Sequence, residues 1–282
     1  MMLASRQKKY AEKYALIVAG LFLGVWLFQA QAVYAAALPG SEFNMQIRNR
    51  MEIIASTEGL SNPNERWNSL NLNYFQKAKE DTLVYLQATG FSRPEGGGVL
   101  SNFGIIKDWS KSFYTQTSVG FGSNASYIPS LVVDQDFNFK FGKNQRYVWT
   151  VGGTYFKYFD NSNSLILKTG IGIHQDKWVF DYRLFRNMNN PGSIESFSHQ
   201  FSVAYGIEKR YWTTLTYSFG QQAYLASTLG IPAAVNNYSQ YLSLNYRRWL
   251  GPHHGFIAEM NYLTLTDAYN KLGFSLGFFR EY

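Results

Sequence analysis

The sequence predicts an all-β fold, an antiparallel transmembrane β-barrel of fourteen strands (twelve is the alternative), behind a cleaved signal peptide. Three observations predict it. From Gln46 to Tyr282 an aromatic-rich stretch of alternating apolar and polar residues recurs about every seventeen residues, each followed by a turn. The turns themselves alternate between short charged ones and longer ones rich in Asn, Gly, Ser and Pro. The chain opens on a basic, then apolar, then small-residue segment. Barrel strands alternate lipid-facing and lumen-facing side chains, and the two rims are built differently.

The leader comes first. Arg6, Lys8, Lys9 and Lys13 precede an apolar run from Ala15 to Phe28, and Val33-Tyr34-Ala35 and Ala35-Ala36-Ala37 are candidate cleavage sites. This is the pattern of a secretory signal peptide over 1–37, cut after Ala35 or Ala37, with the barrel over 38–282. The rival is an uncleaved inner-membrane helix, for which the run is short of the ~18–20 residues a span needs. The formal charge of +7 falls to +4 once those four cations and Glu12 are removed. No basic run remains, so nucleic acid is not an expected partner. With no Cys, thiolate chemistry and a lipoprotein anchor are excluded.

Strands are expected near 46–57, 66–76, 82–91, 98–107, 112–121, 131–141, 146–159, 164–174, 177–187, 196–208, 210–220, 238–248, 255–265 and 270–282. The alternation is plainest where Leu70, Leu72 and Tyr74 oppose Asn71 and Asn73, and where Trp178, Phe180 and Tyr182 oppose Asp181 and Arg183. Runs of ten or so residues suit a tilted bilayer crossing, whereas a soluble sandwich or propeller would use strands of about five or six. Charged residues are only 16% of the chain against 18% aromatic, and the charge gathers in the turns.

The short connections, such as 77–81, 142–145, 175–177 and 208–210, all carry Lys or Arg. The others, 58–65, 93–98, 122–130, 187–195 and 220–237, are longer; Gly96-Gly97-Gly98 reads as part of one of these loops. Barrels of this class have short periplasmic turns and longer outer loops, which predicts periplasmic termini. The final strand puts Leu272, Phe274, Leu276, Phe278 and Tyr282 on one face, like the C-terminal insertion signal that the barrel-assembly machinery reads. Outer-membrane lipid and lipopolysaccharide are the other expected partners.

The sequence holds little chemistry. Ser198 and Ser202 flank His199, but neighbouring strand residues face opposite sides, so no nucleophile–base pair forms there. His253-His254 lack a third ligand nearby in sequence. No enzyme activity, metal or cofactor is expected. Turning apolar residues outward places Asn71, Asn73, Tyr85, Gln87, Lys157, Asp181, Arg183, Asn245, Glu259 and Asn261 inward. Such a lumen serves equally as a polar plug or as a path for a polar polymer. The long loop 220–237 is unusually apolar, and Tyr224, Leu225, Leu229 and Ile231 are candidates for an inward-folded constriction.

Gly152-Gly153-Thr154-Tyr155-Phe156-Lys157-Tyr158-Phe159-Asp160, then Thr169-Gly170-Ile171-Gly172-Ile173 and Trp178-Val179-Phe180-Asp181-Tyr182-Arg183, resemble the YaiO-type outer-membrane β-barrels in order and spacing. The resemblance extends through the mature chain. It implies an outer-membrane location and a relation to barrels that end exopolysaccharide exporters, such as those for poly-N-acetylglucosamine. In those exporters a periplasmic tetratricopeptide scaffold precedes the barrel. This chain carries no such repeat, so export of a polar glycan would require a separate periplasmic scaffold. The alternatives are a closed structural or surface-interaction barrel and a small-solute porin.

Overall fold

The computed structural model describes residues 49–61, 65–223, 236–266 and 269–282. The leader 1–37 and the constriction candidates Tyr224, Leu225, Leu229 and Ile231 lie outside the described residues. Fourteen strands follow one another in chain order: β1 (Asn49–Leu60), β2 (Arg66–Lys79), β3 (Thr82–Arg93), β4 (Gly96–Ser110), β5 (Phe113–Gly122), β6 (Leu131–Phe141), β7 (Tyr147–Lys157), β8 (Asn163–Gln175), β9 (Trp178–Asn190), β10 (Ile194–Ile207), β11 (Tyr211–Ala223), β12 (Asn236–Gly251), β13 (His254–Leu265) and β14 (Tyr269–Glu281). Each pairs antiparallel with its sequence neighbours, and β1 pairs with β14 to close the barrel. Closure leaves no sheet edge, so the backbone donors and acceptors of the strands are satisfied within the ladder, as a bilayer demands.

The two-residue period governs which face each side chain takes. On β2, Leu70, Leu72 and Tyr74 are 46%, 40% and 38% exposed, while Asn73, between Leu72 and Tyr74, is fully buried. Leu272, Phe274, Leu276, Phe278 and Tyr282 all project outward from β14 and the chain end. An apolar outer face over a polar interior inverts the plan of a water-soluble barrel and fits lipid.

The rims differ. The even-to-odd connections form one, here the turn rim; the odd-to-even connections form the other, the loop rim. Both ends of the described chain meet at the turn rim, where Tyr282 N donates to Asn49 O at 3.0 Å. The turns are tight enough that Asn144 and Asp176 take positive φ, which short polar side chains tolerate. In the β2–β3 turn Asp81 accepts bonds from Lys107 and Thr82, which hold its carboxyl below the usual range. An aromatic girdle circles this rim on the outside. Phe139 lies between Phe113 and Trp149 (ring centroids 5.1 and 5.4 Å), and Trp178 meets Tyr205 at 4.5 Å. Such rings favour the level where headgroups meet acyl chains.

Two stretches expected as loops are strand. β3 and β4 stay paired as far as Arg93 and Gly96, leaving only Pro94 and Glu95 between them, so the triple glycine is ladder. β9 and β10 stay paired to Asn189 and Ile194. Glycine lowers strand propensity, but an existing neighbour strand supplies the hydrogen bonds that override it.

Candidate lumen site

The interior is layered from rim to rim. Nearest the loop rim is an apolar layer built from strands around most of the circumference, with Trp67, Phe91, Leu100, Phe156, Ile166 and Leu263 at its centre. The β5–β6 connection folds into this layer. Tyr127 and Ile128 are buried, and the Tyr127 hydroxyl donates to Gly96 O at 2.6 Å. The Arg93 guanidinium lies over Trp67 at 4.2 Å and near Tyr127 at 4.9 Å. Aromatic faces stabilise a cation that has left water.

Below it the charges begin. Lys271 Nζ bonds Glu58 Oε1 at 2.6 Å, both buried. On the wall of β6–β9, Lys168 Nζ sits between Asp134 (2.7 Å) and Asp136 (2.8 Å), and the Thr154 hydroxyl donates to Asp134. Asp181 accepts from Arg183 Nε at 3.0 Å. Nearer the turn rim Glu52 accepts from Arg247 (2.7 Å) and Asn73 (3.3 Å), and faces Arg50 Nε at 2.9 Å. Lys140 bonds Asp108 at 3.0 Å. Across the mouth, Lys209 of the β10–β11 turn reaches Glu281 of β14. In the same turn, burial first and then the neighbouring Glu281 push the Glu208 carboxyl up. Burying a charge is costly unless it is paired, and most of the ions in this lumen are paired with one another.

Lys168 reaches across β7 because Gly152, the residue between it and Asp136 in register, has no side chain. A Cβ there would stand 2.1 Å from Asp136 Oδ1. Gly152→Val is therefore expected to displace Asp136 and weaken the Lys168 triad. The loss should be about 1–3 kcal/mol by the usual cost of overpacking, measured by urea unfolding in micelles. A value within about 0.5 kcal/mol of wild type, the range of a neutral surface change, would contradict the crossing.

The remaining wall is different. β10, β11 and β12 turn Ser196, Ser198, Gln200, Ser202, Thr214, Thr216, Ser218, Ser239 and Ser243 inward. Ser202 and Thr216 hydroxyls lie 3.1 Å apart. This strip carries no charge from the loop rim to mid-barrel.

Of the residues expected inside, Asn71, Asn73, Tyr85, Gln87, Asp181, Arg183, Asn245, Glu259 and Asn261 face the lumen. They fall into two groups. Asn71, Asn73, Tyr85, Gln87, Asn245, Glu259 and Asn261 line the β12–β3 side, where Asn245 Nδ2 donates to Glu259 at 2.9 Å and Gln87 Nε2 to Asn73 Oδ1 at 3.3 Å. Asp181 and Arg183 belong to the β6–β9 wall. Lys157 is a correction: it is exposed on the outer face at the loop rim, because its neighbours Phe156 and Tyr158 are the ones that turn inward. A long cationic side chain there can extend to the headgroup level. His199 also faces outward, 3.0 Å from the Tyr182 hydroxyl.

Most of the lumen's ions do not stand out in the sequence: Arg50, Glu52, Glu58, Asp134, Asp136, Lys168, Arg247 and Lys271. A signal existed for three of them. Asp134 and Asp136 alternate with Val133 and Phe137, and Lys168 follows Leu165 and Leu167 in the opposite phase.

The sequence model of the YaiO membrane beta barrel domain matches residues 48–225, which covers β1 through β11 and more than half of the chain. The chain belongs to this family. It is an integral outer-membrane β-barrel protein. No curated protein matches it. Among solved structures it is similar to a bacterial polysaccharide outer membrane secretin (TM-score 0.52, 8% identity, 83% of this chain and 98% of that one). It is also similar to an anion-selective porin from Comamonas acidovorans (0.48, 7%, 84% and 99%) and to the translocator domain of the autotransporter NalP from Neisseria meningitidis (0.49, 10%, 95% and 99%). At such identities the likeness concerns fold alone.

Proposed function

We propose that this YaiO-family barrel is a gated conduit for a polar glycan crossing the outer membrane, serving a separate periplasmic export scaffold. The observation that carries the reading is the neutral hydroxyl and amide strip on β10–β12. Each Ser or Thr hydroxyl both donates and accepts, so it can exchange partners with successive sugar hydroxyls. Passage needs contacts that are many, weak and interchangeable, and a strip free of charge supplies them. Apart from Glu259, which amides hold, the ions paired on the other walls are held by one another and stay out of the way.

The loop rim faces outward and the termini face the periplasm, in keeping with the short charged turns. Lipid and lipopolysaccharide surround the outer face. β14, with its outward row of aromatic and aliphatic side chains, offers itself to the assembly machinery. In this conformation the loop-rim apolar layer closes the path, so export requires that layer to move. The same closure favours a second reading, a sealed structural barrel with no transported substrate.

Deletion of the gene is expected to abolish secreted polysaccharide. The wild-type chain should restore it, and a Ser202→Leu/Thr216→Leu chain that still runs as a folded, heat-modifiable barrel should not. Normal polymer output in the deletion strain would end the conduit reading in favour of the sealed one.

A further inference from the structure

One row of inward residues crosses five neighbouring strands in direct register: Asn245 (β12), Glu259 (β13), Ser275 (β14), Ser56 (β1) and Ser69 (β2). All five are half-buried. The next row toward the loop rim, from Ser243 through Asn261, Gly273 and Glu58 to Trp67, is buried throughout. Toward the turn rim Arg247, Ile257 and Gly277 are buried, with only Ile54 and Asn71 half-buried. Inside a closed barrel an inward side chain gains accessible surface only from space in the lumen. The row therefore lines a chamber. The Glu58–Lys271 pair and the apolar layer close it on one side, and the Glu52–Arg247–Arg50 cluster closes it on the other.

The chamber carries no free cation among the described residues; its own donors are the Ser56, Ser69 and Ser275 hydroxyls and the Asn245 and Asn261 amides. Glu259 accepts side-chain hydrogen bonds from Asn245 and Asn261 and makes no ion pair among the described residues. The Oδ1 atoms of Asn71 and Asn261 are buried acceptors without a hydrogen-bond partner. The nearest cations, Lys271 and Arg247, are already engaged by Glu58 and Glu52. Unpaired buried acceptors cost free energy, and a molecule that brings donors recovers it. Ile54 adds an apolar surface at the chamber's edge for a C–H face.

We propose that this chamber binds one small, donor-rich polar molecule, a sugar unit or a small ammonium compound, with Glu259 as its main acceptor. The proposal rests on the conduit reading only for the choice of sugar as a probe. Its test is calorimetric titration of the refolded full chain in micelles with D-glucose and, separately, with ethanolammonium chloride. Wild type should show one saturable site for at least one of them. Ser275→Leu fills the chamber and should weaken binding at least about tenfold; Ser69→Leu replaces it if that variant does not fold. Glu259→Gln should weaken ethanolammonium at least about tenfold and glucose less, because a charge-assisted bond becomes a neutral one.

Absence of saturable heat with both probes overturns the proposal, as does wild-type affinity in Ser275→Leu or Ser69→Leu. Loss of secreted polymer on gene deletion together with silent titrations would remove the chamber and leave the conduit. Normal secretion with saturable binding would do the reverse.

Discussion

Replacing Lys168 by methionine is expected to cost the barrel about 3–5 kcal/mol of unfolding free energy. The substitution keeps most of the side chain's volume and removes its charge. It leaves Asp134 and Asp136, each about one-twentieth exposed, facing each other across two strand positions with no cation between them. Two buried carboxylates at that range repel, and neither can recover the hydration it lost on folding. Converting both partners as well, in Lys168→Met/Asp134→Asn/Asp136→Asn, should return most of the loss, since neutral groups are far cheaper to bury than ions. The exposed Arg186–Glu195 pair, at 2.8 Å and about half-exposed on each side, sets the scale. Arg186→Met should cost less than about 1 kcal/mol, as water already screens that pair. Urea titrations of the four proteins refolded in micelles measure all of this. Equal small losses for Lys168→Met and Arg186→Met would show that the lumen at Lys168 is hydrated rather than packed.

Much of the fold was legible in sequence because lipid and lumen impose opposite demands on alternate residues. Where both demands hold, as at Asn71 and Asn73 or at Asp181 and Arg183, phase follows from hydropathy. Near the loop rim they do not both hold. There the lumen is itself apolar, so Phe156 and Tyr158 inside look no different from Tyr155 outside, and alternation puts Lys157 on the wrong face. The ion pairs were illegible for another reason. Lys168 meets Asp134 and Asp136 from two strands away, across a glycine, and such a contact depends on register that alternation alone does not encode. Strand ends were obscured where glycine and asparagine suggested loops, since a paired neighbour holds Gly96 to Gly98 extended. The constriction was expected from Tyr224, Leu225, Leu229 and Ile231. Among the described residues the loop that folds inward is β5–β6, through Tyr127 and Ile128.

That loop should control conductance. Replacing 124–128 by a Gly-Ser linker of equal length is expected to turn silent planar bilayers into conducting ones. Hydrophobic constrictions stop ions by excluding water, and the seal fails once the narrowest apolar layer loses side chains. Ile128 is fully buried and would stand 2.4 Å from a Cβ placed at either Gly98 or Gly122. It fills the space those glycines leave, and the Tyr127 hydroxyl pins the loop to Gly96. Removing both also strips Arg93 of one of its aromatic partners, which should loosen its stacking on Trp67. The strands keep their ladder, so a folded barrel with a lower transition midpoint is expected beside the new conductance. Excision of 224–234 is the matched comparison. If that deletion alone opens the pore while the 124–128 replacement stays silent and folded, the seal lies in the longer loop and the apolar layer around Trp67 is packing only.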